Sequence, residues 1–434
     1  MFRKFYNTLN QWESDHVQEP LMVIGVRQVG KTWLIREFCE AAYKDYFYLN
    51  LEESPEYLSA FEGSLAPEVV LRNLSILAGR PLTSSTALVF DEIQVSERAI
   101  TSLKYFCEAK EDYRVITAGS LLGVKINRFS SSFPVGKVRI ARMYPMDFKE
   151  FLTACGEELL RDAVSDAFRA MQPLPEAIHE KAMRLFADYL IVGGMPAAVA
   201  DYAACGKSIT LFRRQIHQEL KLAYLADMTK YVTSPMETVK IAESYQSVPR
   251  QLARENPKFK YSTVRSNANK RDFASAVDWL CASGMVIKVC SLDLPAAPLA
   301  GYKNDSVFKI YLSDCGMLSS LAGLQPRDLA IDTANIYKGA VIENYVMQQF
   351  APHIEEMFYF KPSDSMEIDL IYDSGTAVIP IEIKSGRHKR STSLKNYINR
   401  FSPSTAIRFS ALNFGKSECL WSVPLYAVFC LFET

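Results

Sequence analysis

Gly25-Val26-Arg27-Gln28-Val29-Gly30-Lys31-Thr32 fits the spacing G-x-x-x-x-G-K-[ST] without a mismatch. Glycines are needed there because the backbone must curl until successive N–H groups face a phosphate at a helix N-terminus. Lys31 then reaches the β- and γ-phosphates of ATP, and the Thr32 hydroxyl can ligate Mg2+. Such a loop needs an acid at the end of a neighbouring strand, and Ala87-Leu88-Val89-Phe90-Asp91-Glu92 is an apolar run ending in two carboxylates. Asp91 is expected in the metal shell. Glu92 is expected to orient the attacking water as general base, which favours hydrolysis over transfer to a metabolite. The apolar run from Arg114 to Ala118 leads into Gly119 and Ser120. There Thr117 and Ser120 could sense the γ-phosphate or the water, and a plain polar turn is the competing reading.

A second constellation lies near the C-terminus. Asp373-Ser374-Gly375 reads as a turn between two strand-like runs, one holding Asp369 and the other Glu382 and Lys384. Residues two apart on a strand share a face, so Glu382 and Lys384 project together. If Asp369 lies across the hairpin, two carboxylates and an ammonium converge. A metal-dependent phosphodiesterase uses that set, with Mg2+ or Mn2+ held by the carboxylates. Glu382 and Lys384 also flank Ile381 and Ile383, which suits an ordinary half-exposed strand equally well.

The elements that must position these groups follow from the apolar patterning. Short apolar runs at 21–26, 46–51, 87–90 and 114–119 alternate with amphipathic segments, the pattern of buried parallel strands joined by crossover helices. The fold class expected is α/β. The chain's 434 residues leave room for about three domains. These are expected at 1–155 (P-loop domain), 156–325 (mainly helical) and 326–434 (a helix from Tyr337 to Phe350, then strands). Lys+Arg and Asp+Glu balance at 49 each, so any nucleic-acid contact must use local patches. Two exist: residues 250–271 hold seven bases against one acid, and residues 384–416 hold eight bases and no acid.

Nine scattered cysteines without a CxxC pair argue against a disulfide framework and fit a reducing cytoplasm. The longest weakly charged stretch, Tyr189 to Ala200, is too short to span a bilayer, so no membrane partner is expected. The five histidines show no zinc-ligand spacing.

The order of loop, acidic strand and polar strand resembles the AAA+ ATPases. Phe90-Asp91-Glu92-Ile93-Gln94, Thr117-Ala118-Gly119-Ser120 and the segment Tyr144 to Phe151 resemble a large prokaryotic family of AAA-type ATPases carrying a C-terminal domain of unknown function. The likeness continues through Gly193-Gly194-Met195-Pro196, the segment Lys309 to Gly316 and the segment Gly339 to Asn344, and so covers nearly the whole chain.

The resemblance implies a winged helix within 236–290 and a C-terminal domain similar to the PD-(D/E)XK nucleases. In that domain Glu343 matches the acid of the first helix, and Glu343, Asp369 and Glu382 are the implied metal ligands. Such proteins usually carry a Gly-Arg pair before the last ATPase strand, and here it is Gly136-Lys137, with Arg139 and Arg142 nearby. Lysine lacks the planar donor fork of arginine. AAA-type domains often complete their sites across subunits, which raises a homo-oligomer.

Two functions compete. One is an ATP-hydrolysing protein acting on DNA or another nucleic acid, with a metal-dependent nuclease at its end. The other is an ATP-dependent regulatory switch whose tail is a non-catalytic binding module. A small-molecule kinase is disfavoured by Glu92 and by the want of an acceptor lid.

Overall fold

The computed structural model describes the chain except residues 16–17, 121–132, 233, 331–334, 364–365, 387–391 and 434. His16, Arg387, His388, Lys389 and Arg390 therefore lie outside the described residues. The rest forms two compact units. One comprises Arg3–Tyr144 with Ala282–Gly284, and the other Met1–Phe2, Pro145–Cys281 and Met285–Thr434.

In the first unit the order is α1 (Phe5–Ser14), β1 (Leu21–Ile24), α2 (Lys31–Ala42), β2 (Tyr46–Asn50), α3 (Pro67–Ala78), β3 (Ala87–Asp91), α4 (Glu97–Glu108), β4 (Val115–Gly119) and β5 (Arg139–Arg142). The five strands form a parallel sheet in the order β2-β3-β4-β1-β5. The apolar runs read from the sequence are these strands: β1, β3 and β4 are buried at every position, as a sheet covered on both faces requires. The helix boundaries have local causes. Pro67 starts α3 with its φ already helical and Gly79 ends it left-handed, while the Ser96 side chain accepts the amide of Ala99 to cap α4. One face of the sheet packs Met22, Leu49, Leu88 and Phe90 against α3 and α4 in a continuous apolar core.

The second unit begins with helices α5 (Phe148–Ala154), α6 (Glu158–Ala170), α7 (Glu176–Val192), α8 (Pro196–Ala204), α9 (Gln215–Tyr231), α10 (Pro235–Leu252), α11 (Tyr261–Val264) and α12 (Lys270–Ala282). There follow β6 (Val286–Leu292), β7 (Lys303–Leu312), α13 (Cys315–Leu321), α14 (Ile336–Phe350), β8 (Met357–Ser363), β9 (Met366–Asp373) and β10 (Val378–Ile383). The unit ends with α15 (Thr392–Phe401), β11 (Ala406–Ser410), β12 (Gly415–Ser417) and β13 (Leu420–Pro424). Its eight-stranded mixed sheet runs β12-β13-β11-β10-β9-β8-β6-β7.

This sheet crosses the boundary expected at 325/326, because β6 pairs in parallel with β8 over Val289–Leu292. β6 is therefore an interior strand of the large sheet, although it lies in the region expected to be mainly helical. Its two edges pair with β7 and with β8, and the second of these partners comes from beyond residue 350, so sequence proximity does not decide the pairing.

Three segments of the family resemblance form one buried knot. The Asp314 carboxylate accepts the amides of Gly194 (2.6 Å) and Met317 (2.9 Å), and Gln348 donates to the Tyr189 hydroxyl (3.0 Å) while accepting the Cys315 amide (2.8 Å). A Cβ on Gly194 would collide with the backbone of Met146, and one on Gly193 with the Asp314 carboxylate. Their small size is packing, not chemistry. Asp147 caps α5 in a reciprocal box with Glu150, so the Tyr144–Phe151 motif is structural as well. No described helix is long and apolar enough to cross a membrane.

Candidate functional site

The loop between β1 and α2 has the curl that its glycines promise. Gly25 (φ 153°), Gln28 (φ 61°) and Gly30 (φ 97°) are all at positive φ, and Gly30 is the N-cap of α2. A Cβ at Gly25 would strike the Met143 carbonyl, so the backbone approach excludes any larger residue. Lys31 is folded back and buried, its ammonium donating to the carbonyls of Gly25 (2.8 Å) and Val26 (3.1 Å). Thr32 Oγ1 donates to Asp91 Oδ2 at 2.6 Å. A phosphate ligand and a hard cation fit this set: backbone amides at a helix start, one ammonium, one hydroxyl and one carboxylate.

The acid does not come from the adjacent strand, as the sequence had suggested. β4 lies between β1 and β3, with Thr117 opposite both Met22 and Phe90. Adjacent register positions share a face, so Thr117 points to the apolar side with Met22 and Phe90 and away from the face of Asp91. Of the two residues expected to sense the γ-phosphate, only Ser120, just past the strand end, escapes that constraint. Its hydroxyl is buried and, among the described residues, lacks a hydrogen-bond partner.

Glu92 follows Asp91 with left-handed backbone (φ 50°, ψ 38°), and its amide donates to Asp91 Oδ1 at 2.9 Å. Burial pushes the Glu92 carboxyl above the usual glutamate range, opposed by a hydrogen bond from Gln94. A base of raised pKa suits proton abstraction near neutral pH.

Two groups that the sequence did not mark support this site. The Tyr48 hydroxyl donates to Asp91 Oδ2 at 2.8 Å, with the Arg36 guanidinium 5.0 Å from its ring centre. Arg3, 4% exposed, donates to the carbonyls of Val29 (2.7 Å) and Tyr144 (2.6 Å) and so braces the back of the loop. Arg3 is remote in sequence, and no local pattern flags it. Two of the three candidates for a charge at the transition state are otherwise engaged, Lys137 with Glu108 (3.1 Å) and Arg139 with Asp15 (2.7 Å).

In the second unit the hairpin is as expected. β9 and β10 are antiparallel with Leu370 opposite Ile381, which sets Asp369 across from Glu382. Asp369 Oδ2 accepts the Ile383 amide at 2.7 Å, and Lys384 Nζ lies 2.8 Å from Glu382 Oε1. Burial, with the negative charge of Glu343 beside it, raises the Asp369 pKa. The acids do not stand alone, however. Lys309 of β7, 1% exposed, sits 2.8 Å from Glu367 and 3.8 Å from Glu343. Among the described residues no three His, Cys, Asp or Glu side chains are gathered so as to hold a metal ion.

The basic run at 250–271 is at the surface: Arg250, Arg254, Lys258, Lys260, Arg265, Lys270 and Arg271 are all exposed, and among the described residues only Arg265 of these is in an ion pair, with Glu243 (2.8 Å). His179 and His217 are buried, His179 bonded through both ring nitrogens, to the Tyr426 hydroxyl (3.0 Å) and the Ala411 carbonyl (3.2 Å), and His217 through Nε2 to the Val192 carbonyl (3.0 Å).

Residues 17–152 match the AAA domain family. Residues 183–328 and 338–427 match two domains of unknown function, DUF8612 and DUF4143. Among solved structures, the chain is similar to a Walker-type ATPase of Pyrococcus abyssi (13% identity, TM-score 0.44, covering 74% of this chain and 95% of that one). It is also similar to the ORC2 protein of Aeropyrum pernix (11% identity, TM-score 0.39, covering 78% and 92%). No curated protein matches. The AAA match, the parallel sheet and the loop geometry together make the first unit a P-loop domain of AAA type.

Proposed function

We propose that the first unit binds ATP with Mg2+ and hydrolyses it. The observation that carries this is the contact between Thr32 and Asp91 at 2.6 Å, beside a half-buried glutamate whose carboxyl pKa is raised. Thr32 and Asp91 would hold the cation, which when bound neutralises charge on the phosphoryl oxygens. Lys31 exchanges its two carbonyl partners for phosphate oxygens, and the amides from Val26 to Lys31 orient the phosphates. Glu92 accepts the proton of the attacking water, and Ser120 supplies a hydroxyl at the same strand ends.

The test is ATP affinity and phosphate release in three proteins. Lys31→Ala is expected to weaken ATP binding by about 10- to 100-fold, the worth of a charge-assisted bond. Glu92→Gln is expected to retain binding and lose about 10²- to 10⁴-fold in kcat. Equal affinity in wild type and Lys31→Ala would refute the site.

We further propose that the exposed bases of 250–271 contact a nucleic-acid backbone, so that ATP turnover acts on bound DNA. The support is their number, exposure and near freedom from acids. We propose no metal-dependent cleavage step at the carboxylates of the second unit, where the buried Lys309 ammonium lies 2.8 Å from Glu367 and 3.8 Å from Glu343.

A further inference from the structure

Glu343 on α14, Glu367 and Asp369 on β9, and Glu382 on β10 meet around Lys309 and Lys384, and each is engaged by the protein itself. Glu343 accepts from the Tyr311 hydroxyl (2.9 Å) and faces Lys309 (3.8 Å). Glu367 is bracketed by Lys309 (2.8 Å) and Lys361 (2.7 Å), Asp369 takes the Ile383 amide (2.7 Å), and Glu382 takes Lys384 (2.8 Å).

Lys309 is the unusual member. Lys309 and Tyr311 are two apart on β7 and so face the same side, toward α14 and β9. The Lys309 ammonium is 1% exposed and also lies 4.9 Å from the centre of the Tyr359 ring. A buried ammonium persists only if surrounding charges repay its lost hydration, and here the acids that a divalent cation would need perform that task. A divalent cation entering this cluster would meet a fixed positive charge in a low-dielectric interior, where repulsion is strongest.

We propose that Lys309 is the resident cation of this cluster, and that the second unit takes up no divalent metal through Glu343, Asp369 and Glu382. The nuclease-like pattern of residues is thereby an ion network that ties β7, α14, β9 and β10 together. Nothing in this rests on nucleotide binding by the first unit.

The experiment is Mn2+ binding to the full-length, nucleotide-free protein, followed through the electron paramagnetic resonance signal of free Mn2+. Wild type and Asp369→Asn are expected to bind equal amounts of Mn2+. Lys309→Met is expected to gain about one site per chain, which Lys309→Met/Asp369→Asn lacks. Wild-type uptake that disappears in Asp369→Asn would overturn the proposal, as would a folded Lys309→Met that gains no site. Should Lys309→Met fail to fold, melting in Mn2+ against EDTA decides. Equal shifts in wild type and Asp369→Asn support the closed network, and a Mn2+ stabilisation confined to wild type overturns it.

Discussion

Thr32 and Asp91 are 59 residues apart in sequence, yet the Thr32 hydroxyl donates to the Asp91 carboxylate at 2.6 Å, although their strands are separated by β4. Thr32 is the second residue of α2, and this helix, which packs against both β3 and β4, brings its hydroxyl to the end of β3.

The environment of Glu92 sets a pH dependence. Its carboxyl is raised by burial, so the basic form that activates water is lost as pH falls through a value above the ordinary glutamate pKa of about 4.3. The acid limb of the kcat profile should lie above that value. Gln94→Ala removes the hydrogen bond that opposes the rise, and should move the limb to still higher pH. A limb that stays in place in Gln94→Ala would exclude Glu92 as its source.

Arg3 supports the phosphate loop without entering it. Arg3→Met leaves the buried carbonyls of Val29 and Tyr144 short of donors, which costs about 1–3 kcal/mol. The expected result is a lower melting temperature together with weaker ATP binding. Unchanged ATP affinity at a lowered melting temperature would restrict Arg3 to a stabilising role.

Gly194 tests the knot around Asp314. Because a Cβ there meets the backbone of Met146, Gly194→Ala should destabilise the second unit by roughly 1–3 kcal/mol or more, read as a fall in its melting temperature. An unaltered melting temperature would show that the backbone gives way freely.

His217 should make stability acid-sensitive. Burial lowers its pKa from 6.5 to about 4, so the unfolded chain binds the proton more tightly than the folded one. Stability is full above pH 6.5 and declines as pH falls toward 4, by on the order of 3 kcal/mol at about 1.36 kcal/mol per unit. His217→Gln, which can still donate to the Val192 carbonyl, should flatten this part of the curve. Parallel curves for the two proteins in chemical denaturation would assign the slope to other groups.

The basic surface predicts a salt-dependent affinity for DNA. Replacing Lys258, Lys270 and Arg271 with alanine should weaken duplex binding irrespective of sequence and reduce the slope of log K against log salt by about 0.9 per lost phosphate contact. An unaltered slope in fluorescence anisotropy would place any DNA contact elsewhere.

Local chemistry made much of the first unit legible. The loop from Gly25 to Thr32 needs its glycines wherever it occurs, and buried parallel strands must be apolar along their length. Both features are therefore written in consecutive residues, and the Asp369–Glu382 pairing follows likewise from a short hairpin whose turn residues are adjacent. The strand order was not legible, because an apolar strand carries no mark of which neighbour it pairs with. It is this order that turns Thr117 away from the site and inserts β6 beside β8. Arg3, Tyr48 and Lys309 were equally out of reach, since each acquires its role from partners far along the chain. Lys309 shows the difference most clearly: in sequence it is one lysine in the apolar second half of β7, and only folding sets it 2.8 Å from Glu367 and 3.8 Å from Glu343.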